Sequence, residues 1–428
     1  MSLAERERGA GTEMTMAPNE ARQANPTANV PGRMTLLALL ASATLTVMAG
    51  ATISPSLPGL VAEFSDDKRA EWLVPFVLTA PGLAIAIAAP LAGVVVDRTV
   101  KRRTLVLGIL LYTAAGSTGL YLDTLNAILA GRLALGVAVG MIMTAAMALI
   151  ADLYAEPERS RVLGWQAAAM GLGGVVFVGA GGLLGALDWR APFAVYLAPL
   201  ALLPVILASV PALPPRPRGS RESSAEPFPW RHAIPIYALA AASMLSFYVI
   251  PTLMPFVIAE MAGTERSAPL TGLAVAASTL AAALLSFQYG RIRKRVAPPV
   301  VASASFVFVA VGYAVVATGP TYPVLVAALA LVGAALGLIM PNNNAWLLSR
   351  IPDAMRGRAS GMMTMSVFLA QFSSAFVGAF LVDVGGLAFV YLAASVFAGA
   401  IALLMAFVAA RSSTGQTGAR TLKPRETR

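Results

Sequence analysis

The sequence predicts an all-α membrane protein with twelve transmembrane helices in two pseudo-symmetric six-helix bundles. Three observations lead to this prediction: an apolar composition, twelve apolar stretches of membrane-spanning length, and a repeat that relates the two halves of the chain. Of the 428 residues, 57% are hydrophobic and only 12% are charged. Soluble proteins carry about 25% charged residues, so the solvent for most of this chain is lipid.

The apolar stretches define the predicted helices. A helix needs about 20 mostly apolar residues to cross a bilayer. Twelve such stretches lie near residues 34–60, 72–96, 104–121, 125–153, 162–186, 191–211, 234–258, 268–289, 298–318, 322–348, 359–382 and 386–410. A longer polar connection, rich in Pro, Ser, Arg and Glu, separates the first six stretches from the last six. Such a composition is typical of a linker.

These boundaries predict five segments. We expect a disordered cytoplasmic tail over 1–31, an N-terminal six-helix bundle over 32–211, a cytoplasmic linker over 212–233, a C-terminal six-helix bundle over 234–410 and a cytoplasmic tail over 411–428. The tail prediction for 1–31 follows from its mixed polar composition, which offers little apolar surface to bury.

The basic residues provide a test of the helix number. With twelve helices, both termini and the linker share one face, and that face carries 26 of the 31 lysines and arginines. The opposite loops carry four, and Arg132 lies within a helix. Cytoplasmic loops are enriched in Lys and Arg. The asymmetry therefore predicts cytoplasmic termini and a multi-pass protein of the cell (inner) membrane.

The two halves repeat one another. Five pairs of identical residues are separated by 197 positions: Gly136 and Gly333, Gly140 and Gly337, Arg159 and Arg356, Arg161 and Arg358, and Gly164 and Gly361. Duplicated halves are a feature of secondary transporters, whose substrate site lies near the membrane midplane between the repeats.

Composition argues against several other functions. Cysteine is absent and His232 is the one histidine, so we predict no metal site. None of the four lysines follows a glycine, which excludes the phosphate-binding loop of an ATP-driven pump. No buried carboxylate pair suggests catalysis, so we predict neither an enzyme nor a cofactor. The net charge of +10 is divided among short loops, which argues against a nucleic-acid partner.

Polar residues near the midplane are candidates for a substrate cavity. Those selected are Thr46, Ser246, Tyr248, Gln371, Ser374 and Asn344. An amide facing lipid is unfavourable, so Gln371 should face protein or water. For the serines and the threonine the alternative is a hydrogen bond to their own helix backbone. For Asn344, which follows Pro341 in a run of three asparagines, the alternative is a polar helix end.

Arg132 is the candidate coupling residue. It lies about seven residues into the fourth stretch, hence roughly 10 Å below the outer end. A guanidinium at this depth is unfavourable unless it is paired or hydrated. We expect it to face the cavity, and an arginine whose side chain reaches the outer interface is the alternative. No Asp or Glu occupies the central two turns of any stretch to pair with it.

Glycine and proline indicate how the helices pack and bend. We assign a packing role to Gly136, Gly140, Gly173, Gly181 and Gly182, because small residues let helix backbones approach closely. Prolines near the outer ends of the first and seventh stretches should kink them; these are Pro55, Pro58, Pro251 and Pro255.

Three segments resemble signatures of the major facilitator superfamily. The segment from Gly93 to Arg103, GVVVDRTVKRR, is similar to the loop signature G-x-x-x-D-R-x-G-R-R, with Val100 where the family has Gly. Arg132 and Gly136 match the R-x-x-x-G pattern of the proton-coupled members. The fifth stretch ends in the Gly181-Gly182 pair of the antiporter motif, but Phe177-Val178 replaces its Gly-Pro.

The resemblance implies a secondary active transporter that works by alternating access. The twelve-helix drug/proton antiporter subgroup is the nearest match, which implies proton-coupled efflux of a drug-like or metabolite compound by a monomer in the bilayer. Gly93, Asp97, Arg98 and Arg102 would form a cytoplasmic gate, whereas Lys101 and Arg103 are expected to be solvated. Uptake symport, or a receptor or scaffold on the same fold, remains an alternative.

Overall fold

The computed structural model describes residues 32–213 and 227–421, and within these ranges every regular element is a helix. The predicted tail 1–31, most of the linker and the last seven residues lie outside the described residues. Side chains of 412–421 and of a few positions near residue 95 are also outside what the structure describes.

The N-terminal half contains six helices. They are α1 (Arg33–Glu63), α2 (Ala70–Arg98), α3 (Lys101–Gly116, extended by a 3₁₀ turn over Ser117–Leu120), α4 (Leu125–Leu153), α5 (Glu158–Gly185) and α6 (Ala191–Ser209). The short α3 reaches membrane-spanning length only through its 3₁₀ extension.

The C-terminal half contains the other six. They are α7 (Trp230–Ala262), α8 (Thr264–Arg293), α9 (Pro298–Ala317), α10 (Tyr322–Leu348), α11 (356–385) and α12 (387–421). The last two form one continuous run, Arg356–Thr421, interrupted at Gly386 by φ 78° and ψ −178°. Only glycine adopts this backbone conformation readily, so Gly386 makes the turn between α11 and α12.

The helix count agrees with the predicted fold class. Ten helices of the described chain are long and apolar enough to cross a membrane. The division at Gly386 adds one, and α3 with its 3₁₀ extension adds another. The α7 helix begins at Trp230, four residues before the predicted boundary. We refer below to the terminal face, where α1 begins and α12 ends, and to the opposite distal face.

Each half has its own apolar core, and each core contains a pair of tyrosines whose rings are in tilted contact. In the N-terminal half the rings of Tyr112 and Tyr196 lie 5.7 Å apart, and in the C-terminal half those of Tyr313 and Tyr391 lie 5.6 Å apart. Tyr112 donates a hydrogen bond to the carbonyl of Leu45, and Tyr313 donates one to the carbonyl of Ser246. The two donors are 201 residues apart, and so are the two acceptors. The repeat seen in the sequence is therefore a repeat of packing.

The prolines affect α1 and α7 differently. The α-helical part of α1 stops at Ala51, and a 3₁₀ turn containing Pro55 follows before Leu57 resumes the α-helix. By contrast, α7 runs unbroken through Pro251 and Pro255. The predicted distortion therefore occurs in α1, while in α7 the helix accommodates both rings.

The halves meet mainly near the distal face. The hydroxyl of Ser54 donates to the carbonyl of Pro251 at 2.5 Å, which joins two positions related by the 197-residue repeat. Trp72 of α2 donates to Asp383 of α11 at 3.1 Å. Below them, the ring of Phe76 packs against two phenylalanines of α11, with centroids 4.4 and 5.6 Å away. These contacts close the distal face.

Glycines on α5 determine how closely the halves approach. A Cβ on Gly182 would lie 2.8 Å from the Cα of Gly272 in α8, and one on Gly181 would lie 2.0 Å from the carbonyl oxygen of Thr52. Further along, Gly171 is still close to Ala283, whereas a Cβ on Gly164 would meet nothing within 4 Å. We infer that α5 and α8 separate toward the terminal face and leave a cavity open there.

The other glycines selected from the sequence differ in how tightly they pack. A Cβ on Gly136 would lie 2.4 Å from the carbonyl oxygen of Pro81, and one on Gly173 would lie 3.0 Å from Thr44. Around Gly140 the nearest atoms are 3.4 Å away, an ordinary van der Waals distance. An alanine would therefore fit at Gly140 but not at Gly136.

We expect Gly181→Ala to destabilise the protein, because its methyl group would collide with the backbone of α1 at Thr52. Overpacking of this kind costs about 1–3 kcal/mol. The matched control is Gly179→Ala on the same helix, where a Cβ meets nothing within 4 Å. Thermal unfolding of both variants in detergent is the measurement. Equal melting temperatures for the two would show that α1 and α5 do not make this contact.

Candidate functional site

A cavity of about 420 Å³ lies between the halves, about midway along the helices. Residues of α1, α2 and α5 line it from one side, and residues of α7, α8, α10 and α11 from the other. None of the lining side chains is charged. A cavity of this size, mostly apolar and with a few polar groups, is typical of a small-molecule site.

Soft apolar side chains make up much of the wall. Met170, Met244 and Met340 line it, as do Phe247 and Phe368. Methionine is flexible and polarisable, so it adapts to ligands of different shape. Aromatic rings add large contact areas that favour flat apolar ligands. Sequence reasoning missed this set, because methionine and phenylalanine are common throughout apolar helices and carry no distinguishing pattern.

The uncharged polar groups of the wall converge at the contact between the halves. Tyr248 of α7 and Gln371 of α11 approach α1 at Gly50, where a Cβ would lie 2.6 Å from the tyrosine hydroxyl and 4.0 Å from the amide nitrogen. On the other side, Gln371 packs against Gly82 of α2. Thr46 also lines the cavity. Three residues selected from the sequence thus lie in the wall, together with Thr279 and Ser286.

Three other selected residues do not line the cavity. Ser246 is buried behind it, and its carbonyl accepts a hydrogen bond from Tyr313. Ser374 donates to the carbonyl of Gln371 at 2.6 Å and points into its own helix. Asn344 is exposed near the terminal end of α10. The sequence placed Ser246 and Ser374 along their helices, but it did not give the rotation of each helix about its axis.

Arg132 is fully buried within the N-terminal half rather than in the cavity wall. Its Nε donates to the carbonyl of Val77 in α2 at 2.7 Å, and its Nη2 donates to the carbonyl of Ala49 in α1. The guanidinium carbon lies 5.2 Å from the ring centroid of Tyr196. Among the described residues its Nη1 has no hydrogen-bond partner. Arg132 therefore does not line the cavity as expected, because its Nε and Nη2 bond to backbone carbonyls behind the wall.

This arginine stabilises α1 where the helix is interrupted. The α-helical part of α1 ends at Ala51, and the hydroxyl of Tyr196 also donates to the carbonyls of Met48 and Ala49, at 3.3 and 3.1 Å. Ala49 itself lines the cavity. A charged donor thus holds a segment of the cavity wall through its backbone.

The C-terminal half has no counterpart to this arrangement. The 197-residue repeat places Leu329 at the position of Arg132, and Leu329 is fully buried. Among the described residues, the hydroxyl of Tyr391 has no hydrogen-bond partner, unlike that of Tyr196. A buried arginine that holds the cavity wall is therefore found at this position in the N-terminal half and not at the equivalent position of the C-terminal half.

The predicted gate residues lie at the terminal end of α2 and the start of α3. Gly93 and Asp97 belong to α2, and their side chains are not described; Arg98 is exposed. Arg102 donates to the carbonyls of Leu207 and Val210 at 3.3 and 3.2 Å, and so caps the end of α6.

Lys101 forms an ion pair with Asp152 at the end of α4, with side-chain exposures of 11% and 9%. The expectation that Lys101 is solvated was wrong. The ion pair joins α3 to α4 within one half. Removing one partner of such a buried pair strongly destabilises the folded protein, because the other charge is left unpaired. Arg103 is exposed, as expected.

Twelve membrane helices in two repeated halves around a midplane cavity define a secondary transporter. The comparison with family models identifies which kind. The model of the Major Facilitator Superfamily matches residues 39–265 and 236–427, and the chain belongs to that family. It is therefore a multi-pass membrane transporter of small molecules.

Curated relatives include proteins named for drug resistance. The Tetracycline resistance protein, class C, of Escherichia coli is 27% identical over 348 residues, which are 77% of this chain and 84% of the relative. The Puromycin resistance protein pur8 of Streptomyces alboniger is 34% identical over 175 residues, 40% of this chain and 34% of that protein. Multidrug resistance protein 1 of Bacillus subtilis is 27% identical over 41% of this chain and 44% of its own length.

Solved structures share the fold at low sequence identity. A POT family transporter in complex with 5-aminolevulinic acid superposes with a TM-score of 0.73 at 12% identity, over 87% of this chain and 95% of that one. A D-xylose-proton symporter gives 0.68 at 16% identity, over 87% and 97%. These likenesses establish the fold.

We expect Arg132→Lys to lower both stability and transport, because an ammonium lacks the fork that reaches carbonyls on two helices at once. The loss in unfolding free energy should be about 2 kcal/mol. The control is Arg190→Lys, since Arg190 also donates to two carbonyls, those of Gly119 and Leu122, but is partly exposed. Thermal unfolding and flux are compared for both. If the Arg132→Lys variant is as stable and active as the wild type, then Arg132 does not hold α1 in place as inferred.

Proposed function

We propose that the protein exports a small lipophilic compound in exchange for protons, and that the compound is neutral or carries one negative charge. The observation that supports this proposal is the cavity wall, which combines methionine and aromatic side chains with uncharged polar groups. The names of the drug-resistance relatives support efflux. The match of Arg132 and Gly136 to the pattern of proton-coupled members supports the coupling.

The charge of the compound follows from what surrounds the cavity. A cation buried in an apolar site needs a paired anion, since burying an isolated charge is very unfavourable. No carboxylate lines the described wall, and the nearest ionised group behind it is the Arg132 guanidinium, whose Nη2 bonds to the wall residue Ala49. A positively charged compound would be repelled by that group, whereas a neutral or anionic one would not.

The polar groups of the wall would orient such a compound. Tyr248 and Gln371 offer a hydroxyl and an amide to one end of the cavity, and Thr46 offers a second hydroxyl. Each group both donates and accepts hydrogen bonds, so each can contact a carbonyl, an ether or a hydroxyl of the ligand. We propose these three residues as the specificity-determining part of the site.

In the proposed export cycle, the described state is the one that accepts the compound from the cytoplasm. The terminal face carries most of the basic residues, so we propose that it is cytoplasmic and that the termini lie inside the cell. The contacts at Ser54, Trp72 and Gly182 close the distal face. In this arrangement the compound enters from inside, and rocking of the halves about the cavity opens the distal side. We further propose that the transporter acts as a monomer.

The test is flux in proteoliposomes with an imposed pH gradient. Three fluorescent compounds of similar size and lipophilicity, one neutral, one anionic and one cationic, are compared. We expect gradient-driven movement of the neutral or anionic compound, abolished by a protonophore and absent from protein-free liposomes. Movement in the same direction as the protons would favour uptake symport instead. Binding of a panel member without flux would favour a receptor, and flux of the cationic compound alone would contradict the charge assignment.

We expect Thr46→Asp to confer transport of the cationic compound, because it places a carboxylate in the wall of α1, where a buried cation could pair with it. The uncharged control is Thr46→Asn, which keeps a similar volume and should not change the charge preference. Flux of all three compounds through both variants is measured under the same gradient. If Thr46→Asp expresses and folds but still excludes the cation, then the described wall does not select the compound by charge.

A further inference from the structure

A second apolar groove lies outside the central cavity, between α7, α11 and α12, with a volume of about 570 Å³. Three alanines of α7, at positions 238, 241 and 242, form its base, and larger side chains such as Leu369 and Phe397 border it. Its two serines do not make it polar, since the hydroxyls of Ser366 and Ser373 each donate to their own helix backbone at 2.9 Å. No part of the proposed transport cycle uses this groove.

Along α7 the groove extends over about the depth of one leaflet, whereas on α11 its lining begins ten residues beyond the terminal end at Arg356. On α7 its lining runs from Ile234 to Leu245, and on α11 from Ser366 to Val377. Eleven residues of helix span about 16 Å. The hydrocarbon core of a bilayer is about 30 Å thick, so one leaflet contributes about 15 Å. A single acyl chain of the leaflet on the terminal face would therefore fit along the α7 side of the groove.

Basic and aromatic residues surround the terminal end of this groove. Tyr237, which lines it, donates to the carbonyl of Ala359 at 3.1 Å, one residue from Arg358. The guanidinium carbon of Arg358 lies 5.6 Å from the ring centroid of Trp230, and both side chains are exposed. Arg231 is exposed one turn before Ile234 on α7.

We propose that this groove binds one acyl chain of a phospholipid with an anionic head group. The exposed guanidiniums of Arg231 and Arg358 would bind the phosphate, and Trp230 would lie at the level of the head groups, where tryptophan is enriched. Arg356, the neighbouring cation, is already paired with Asp353 at 2.9 Å. Apolar lining at one end and positive charge at the other match an anionic amphiphile better than a neutral one.

The proposal is tested on the purified full-length protein by native mass spectrometry with phosphatidylglycerol or phosphatidylcholine, and by thermal unfolding with each lipid added. We expect phosphatidylglycerol to bind more tightly and to raise the melting temperature more. Near a membrane each basic residue contributes about fivefold to the binding of an anionic lipid, so the double variant Arg231→Gln/Arg358→Gln should bind it about 30-fold more weakly. Its matched control, Arg103→Gln/Arg161→Gln, removes the same charge from the same face of the other half and should bind as wild type.

A second pair of variants tests the groove itself. Ala241→Phe fills it and should reduce binding of either lipid, whereas Ala130→Phe, at an exposed position of α4, should not. Equal affinity for the two lipids, or an equal loss in both arginine double variants, would overturn the head-group assignment. Unchanged binding by a folded Ala241→Phe variant would overturn the groove.

Discussion

Close approach of helix backbones at glycine is the constraint on which this structure depends. Within hydrocarbon, burial of apolar surface does not drive helices together, so association relies on tight packing and on a few polar contacts. Gly333 and Gly337 place α10 against the carbonyls of Ser278 and Ala282, and Gly136 places α4 against α2 in the same way. At the distal face Gly181 and Gly182 bring α5 against α1 and α8. The cavity exists because this series of close contacts ends before the terminal face.

The two halves share a fold but differ in how they are stabilised. Both have a pair of tyrosines in tilted contact behind the helix that begins the half. Only the N-terminal half adds a buried guanidinium, which donates to carbonyls of α1 and α2, and Leu329 replaces it in the other half. The interrupted helix α1 is therefore held in place, whereas α7 and α11 contribute Tyr248 and Gln371 to the cavity. A duplicated fold thus supports an asymmetric site.

The cavity wall contains no charged side chain, although a guanidinium lies behind it. Backbone carbonyls accept hydrogen bonds from Nε and Nη2 of Arg132, so two of its three guanidinium nitrogens have a partner although no carboxylate lies in the described cavity wall. The same pairing keeps a positive group near a site that otherwise contains only neutral side chains. In the proposed function, the compound is therefore selected by shape and hydrogen bonding rather than by ion pairing.

The sequence by itself determined the helix number, the division into two repeated halves and the family resemblance, because hydropathy and the spacing of glycines are local properties of the chain. It also selected Thr46, Tyr248 and Gln371, which line the cavity. Only the tertiary structure decided that Ser246 and Ser374 point away from the cavity, that Arg132 bonds to carbonyls, and that Lys101 pairs with Asp152. Depth follows from counting residues along a helix, whereas the direction of a side chain depends on the rotation of that helix against its neighbours. That rotation is set by contacts between residues far apart in the chain, which no local pattern records.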